Sequence, residues 1–128
     1  VATRDGEKTK IKNHQMKTLR NSVRLMGNLG MNPEIRTTPN NKKVANFSLA
    51  TNESWRDNDG NTVKETQWHR VVAWGKLADL AEKHLHKGTQ VVLEGTIANR
   101  QYQDAKGEKK NVTEIVATDF LTVGAKKD

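Results

Sequence analysis

An all-β fold with a single helix is what this 128-residue sequence predicts, and three observations predict it. Short apolar runs with alternating side chains recur between glycine, proline and polar turn segments. One segment, Gly75 to Gly88, carries its apolar residues at helical spacing instead. It follows the third extended run and precedes the last two, so the predicted order is three strands, one helix, two strands.

The first strand is "SVRLMGNL", with Gly27 and Gly30 suggesting a bulge or sharp bend, and Pro33 and the loop "TTPNNKK" follow it. "VANFSLATNESW" is the second strand, with Phe47 and Leu49 on one face and Trp55 ending it beside Arg56. A polar turn containing Asp59-Gly60 leads into the third, "TQWHRVVAWGK". In the helix, Leu77, Leu80, Ala81 and Leu85 fall on one stripe, Lys83 and Lys87 sit toward the C-terminal end, and Gly88 reads as the C-terminal cap. "TQVVLEGTIANRQY" is the fourth strand, "QDAKGEKK" a loop and "NVTEIVATDFLTV" the fifth strand. This order fits a five-stranded Greek-key barrel of the OB type, with its helix between strands 3 and 4 and one outer face open to oligonucleotides or oligosaccharides.

Composition sets the limits. The length suits one domain, and 34% apolar against 29% charged residues describes a hydrophilic globular chain. No apolar run is long enough to span a bilayer, so no membrane role is indicated. The absence of cysteine removes disulfides, thiolate metal sites and a cysteine nucleophile. Of the net charge of +7, a net +4 lies in residues 1–20, a polar stretch without periodicity that reads as a disordered basic leader, and in which Val1 to Gln15 read as an added or processed extension. Residues 21–123 form the folded domain and 124–128 a short end.

The third strand carries the functional signal. Alternation puts Trp68, Arg70, Val72 and Trp74 on one face and His69, Val71 and Ala73 on the other. If Val71 and Ala73 face the core, two indoles and a guanidinium face solvent, which burial alone would not favour. Arg100 and Tyr102 likewise share a face of the fourth strand. Exposed aromatics interleaved with cations suit single-stranded nucleic acid, because every base offers a π-face and the cations neutralise phosphates. The competing explanation is a core or subunit interface, where tryptophans are also common. An enzyme built on Glu82, His84 and His86 is disfavoured, because residues two apart do not share a helix face and a helical zinc pair needs a spacing of four. No glycine-rich phosphate cradle and no nucleophile motif occurs, and no cofactor is called for.

The blocks "NSVRLMGNLGMNPEIR", "VANFSLATNESWRD", "ETQWHRVVAWGKLADLAEKHLHKGTQVVLEG" and "ANRQYQD" resemble, in order, those of the bacterial and mitochondrial single-stranded DNA-binding protein family, from Asn21 to Val123. The resemblance implies an OB-fold, a homotetramer arranged as a dimer of dimers, and non-catalytic wrapping of single-stranded DNA during replication, recombination and repair. Carried over by position, it implies base stacking on Trp55, Trp68, Trp74 and Tyr102, phosphate contacts from Arg36, Arg56, Lys64, Arg70, Lys76, Lys87 and Arg100, and a subunit contact at His69. Thr37, His84, Val92 and Ala98 depart from residues that relatives often carry as aromatic or basic. Many bacterial relatives continue into a Gly, Pro and Gln-rich tail with an acidic tip, whereas this chain ends "GAKKD", so a short tailless bacterial form, a mitochondrial form or a truncated chain is expected and tail-mediated partners are not assumed. The expected compartment is a bacterial cytoplasm or nucleoid, with the mitochondrial matrix as the alternative. An OB-fold interaction module, like the family's primosomal relatives, is the other reading; such relatives would be expected to lack the full aromatic set.

Overall fold

Two long β-hairpins form the body of the fold, and the same local chemistry turns both. The computed structural model describes residues 19–123; the leader up to residue 18 and the end 124–128 lie outside the described residues. Strands β1 (Val23–Leu29), β2 (Glu34–Thr37), β3 (Lys43–Arg56) and β4 (Thr62–Trp74) precede helix α1 (Lys76–His84), and β5 (Gln90–Gln103) and β6 (Lys109–Thr122) follow it. β3 and β4 pair without a break from Val44↔Trp74 to Arg56↔Thr62. At the tip, the Asp57 carboxylate accepts from the backbone N–H of Asp59 and Asn61, and Gly60 takes a positive φ of 83°. The β5–β6 hairpin repeats this: Asp104 accepts from Lys106 and Glu108, and Gly107 has φ 82°. Each stem is also pinned by a threonine hydroxyl donating to an asparagine, Thr66 to Asn52 and Thr113 to Asn99, both at 2.7 Å. Asn52, Trp55, Asp57, Gly60 and Thr66 thus recur at the same spacing as Asn99, Tyr102, Asp104, Gly107 and Thr113.

The hairpins close into a barrel through short seams. β5 pairs along β1, β4 meets β6 in parallel at Val71↔Ile115 and Val72↔Val116, and β1 returns to β3 at Asn28↔Ala50 and Leu29↔Leu49. The ring therefore runs β1-β5-β6-β4-β3 and back to β1, the five-stranded barrel expected. Gly27 makes the last seam possible: a Cβ there would lie 2.1 Å from the Ala50 carbonyl oxygen. Gly95, beside the bulge between Glu94 and Gly95, is pressed as closely on Val116. Inside, Phe47, Leu49, Val71, Val91, Leu93 and Ile115 make the core, all from positions alternating with outward ones.

Three expectations are corrected. The residues after Pro33 form a sixth strand, β2, which lies against Lys43–Asn46 beyond the end of β1 on the same edge of β3. Four residues with one apolar member carry too little periodicity to be read as a strand. The buried stripe of α1 uses Ala78, Ala81 and Leu85, while Leu80 is exposed. Gly88 does not cap the helix: Leu85 leaves it in extended conformation, and Gly88, at φ 92°, turns the chain toward β5 by donating to the Leu29 carbonyl at 2.9 Å. Lys43 fastens the helix to the barrel through Asp79, at 2.8 Å, and Glu82.

Candidate nucleic-acid interface

Across the outer face of the barrel, opposite residues of antiparallel strands project to the same side. Trp68 lies opposite Ala50, Arg70 opposite Ser48, Val72 opposite Asn46 and Trp74 opposite Val44. β2 adds Glu34 and Arg36 beside Asn46 and Val44, and β6 adds Glu114 and Val116. The result is a groove of about 790 Å³ with Trp68, Trp74, Arg36, Arg70 and Arg100 among its lining side chains. Its floor is apolar and closed, since Val44 and Val72 are buried although they face outward. The indoles themselves are exposed, Trp68 by 62%.

Gly30 sets the position of Trp68. A Cβ at this glycine would stand 2.5 Å from the indole Cζ3 and 3.0 Å from the Ser48 hydroxyl. The ring therefore lies flush on a bare stretch of backbone, held from below while its other side faces solvent. Gly30 does lie in the bend expected of it, directly after β1; its φ is not positive, and close approach is the reason it must be small.

The remaining predicted residues are dispersed. Trp55 and Tyr102 are exposed on the two hairpin arms. Tyr102 continues the groove side of β5, in line with Arg100, whereas the unbroken β3–β4 register places Trp55, opposite Val63, on the other side of its ribbon from Trp68. Arg56 and Lys64 share the groove side of that arm. Lys76 opens α1, and Lys87 lies in the loop after it, its backbone N–H donating to Asn32. Neither lines the groove. His69 alternates to the side opposite Trp68 and Trp74, the side that Trp55 shares, although it stands among the groove-lining residues; its Nε2 is 2.9 Å from the Thr51 hydroxyl and it is half-buried.

The seven predicted phosphate contacts are electrostatically unequal. Arg36 is paired with Glu34 at 2.8 Å, and Arg100 with Glu114 at 2.9 Å. Hydrogen bonding to Glu114 is the main cause that holds the Arg100 guanidinium above its ordinary pKa. Arg56, Lys64, Arg70, Lys76 and Lys87 have no carboxylate within ion-pair distance among the described residues. Glu114 itself escaped sequence reading. The available signal was an acid between Val112 and Val116 on one side of a strand whose other side carries Ile115 and Ala117, a place where a charge needs a partner.

A closed five-stranded barrel with helix α1 between β4 and β5, whose open face sets indoles among arginines, defines an OB-type binding protein. More narrowly, the chain belongs to the single-strand binding protein family, whose sequence model matches residues 20–123. It is 50% identical over 107 residues to single-stranded DNA-binding protein 1 of Chlorobaculum tepidum, a match that covers 83% of this chain and 66% of that protein. Among solved structures it is similar to a Plasmodium falciparum SSB in complex with ssDNA, with a TM-score of 0.73 and 36% identity, over 80% of this chain and 94% of the other.

Proposed function

We propose that this chain binds single-stranded DNA without catalysis and with little dependence on sequence, and that it covers and protects exposed strands during replication, recombination and repair. The observation that carries the reading is the pair of exposed indoles, Trp68 and Trp74, on one closed apolar floor with the unpaired Arg70 between them. Bases stack on the rings and the phosphates run past the cations; each stack contributes about 1–3 kcal/mol, and every base can supply it. Paired bases have no free face, so duplex DNA binds poorly. Tyr102 extends the path onto the β5–β6 arm, and Trp55 offers a second stacking surface on the other side of the β3–β4 arm. The similarity to a relative solved with ssDNA supports this reading.

The same reading includes a homotetramer. Two features support it. Along Val23–Gly27 the edge of β1 away from β5 has no strand partner among the described residues. Met26, Val92 and Leu121, in register across β1, β5 and β6, form an exposed apolar row, and none of the three lines the groove. His69 is assigned to a contact between subunits, since alternation turns it from the face that carries Trp68 and Trp74. A bacterial cytoplasm or nucleoid is the favoured compartment, supported by the half-identical bacterial relative.

The test is competition binding. A labelled single strand should be displaced by unlabelled single strand and not by duplex of equal length, and log affinity should fall with log salt by about 0.7 per phosphate neutralised. Equal displacement by duplex would refute stacking as the mode of binding.

A further inference from the structure

Arg100 lies in the groove with the indoles, and unlike Arg36, whose partner Glu34 is exposed, it is paired with a buried carboxylate. Arg100 stands opposite Val112 and Glu114 opposite Ala98, so the two side chains meet on the diagonal between β5 and β6. Glu114 is the one buried charged residue among the described residues, 7% exposed, and a buried carboxylate has to be matched. It accepts from Arg100 Nε at 3.4 Å and from Nη2 at 2.9 Å. A guanidinium gripped along that side keeps its end free: one N–H of Nη1 and one of Nη2 project in parallel as a fixed fork. The Arg100 side chain is 51% exposed, so the fork is accessible. The pair as a whole is close to neutral and adds little to counterion release, which the unpaired Arg70 can supply.

We propose that Arg100, held by Glu114, reads base edges in the groove and favours cytosine and guanine over thymine and adenine. This rests on the single-strand reading above and adds a modest base preference to it. A parallel fork needs two adjacent acceptors. In an unpaired strand, cytosine offers them at O2 and N3 and guanine at O6 and N7; thymine separates its two carbonyls by an N–H, and adenine sets an amino donor beside each neighbouring acceptor. Tyr102, two residues along the same face, provides a surface against which the neighbouring base can stack. Glu114 is a positioning residue: it fixes the plane and direction of the fork without touching the base.

The experiment compares affinities for oligo(dC) and oligo(dT) of equal length. Three proteins are needed: wild type, Arg100→Lys, which keeps the charge and loses the fork, and the double variant Arg100→Gln/Glu114→Gln, which removes both charges and leaves no buried carboxylate unmatched. The dC-to-dT affinity ratio should fall about 5-fold or more in both variants, the lower end of what one bidentate base contact discriminates. The salt slope on oligo(dT) should stay the same in the double variant. An unchanged ratio overturns the proposal, as does a slope shallower by about 0.7, which would assign Arg100 to a phosphate. If the double variant does not fold, the ratio for Arg100→Lys decides alone. Wild-type protein that binds neither oligomer overturns the single-strand reading, and this inference with it.

Discussion

Gly27 and Gly30 are three residues apart, and both are glycine because something lies too close for a side chain. The neighbours differ, and so should the consequences of substitution. At Gly27 the neighbour is the Ala50 carbonyl in the seam that closes the barrel, and backbone there cannot move aside. Gly27→Ala should cost about 1–3 kcal/mol or more of stability in a denaturant melt, the usual penalty of overpacking. At Gly30 the neighbour is the Trp68 ring, an exposed side chain that can swing away. Gly30→Ala should leave the melting temperature nearly unchanged, shift the tryptophan emission and weaken single-strand binding. Trp68→Ala should weaken binding by about 1–3 kcal/mol and barely affect folding, since the ring it removes is largely solvent-exposed. If Trp68→Ala unfolds the protein instead, the indole is part of the core and the outward face is wrongly assigned. The outward direction of Trp68, Arg70 and Trp74 was legible from alternation alone. What Gly30 lies against was not, because that contact joins two strands that are far apart in sequence.

Elements show the same division between local and long-range information. The helix was legible because its alanines and leucines repeat at local spacing; the exposure of Leu80 was not, because the width of the buried stripe depends on where β3, β4 and β6 meet it. The Lys43 contact with Asp79 and Glu82 has the same long-range origin, and its pH dependence follows from the two shifts. The hydrogen bond from Lys43 lowers the Asp79 pKa, so this contribution is present above the ordinary carboxylate range and is lost as pH falls through the lowered value. Hydrogen bonding to Asp79, then Glu82, raises the Lys43 pKa, so the stabilisation is present below the ordinary lysine value and is lost as pH rises through the raised one. Between these limits the fastening should be independent of pH, and added salt should weaken it because the groups are exposed. Thermal melts of wild type and Lys43→Met should therefore differ by a constant amount around neutrality and converge at strongly acid pH. In the hairpins, the sequence marked turns at Asp59-Gly60 and around Gly107, but the strands run further toward both tips than the apolar pattern does. Asp57 and Asp104 lock those tips, so Asp57→Ala or Asp104→Ala should speed amide exchange in the corresponding arm while core amides in β5 and β6 near Leu93 stay protected.

At the scale of the whole molecule, charge separates the two arms that the turn chemistry makes alike. Residues 52–66 carry four acids against two bases, and residues 99–113 carry four bases against two acids. Phosphate attraction should therefore lie mainly on the β5–β6 arm. Neutralising Lys109 and Lys110 together should reduce the salt slope by up to about 1.4, two contacts' worth, while Asp59→Asn on the other arm should strengthen binding slightly at low salt. The predicted phosphate set did not include Lys109 or Lys110, because a basic loop in a sequence does not reveal what stands beside it in space. Whether bases stack on the groove indoles can be read most directly from tryptophan fluorescence during titration with long oligo(dT), at low and high salt and against duplex of equal length. Strong quenching by the single strand is expected, persisting in part at high salt and much reduced in Trp68→Phe. Weak quenching, or an equal response to duplex, would contradict stacking and favour an interaction module whose tryptophans meet another protein.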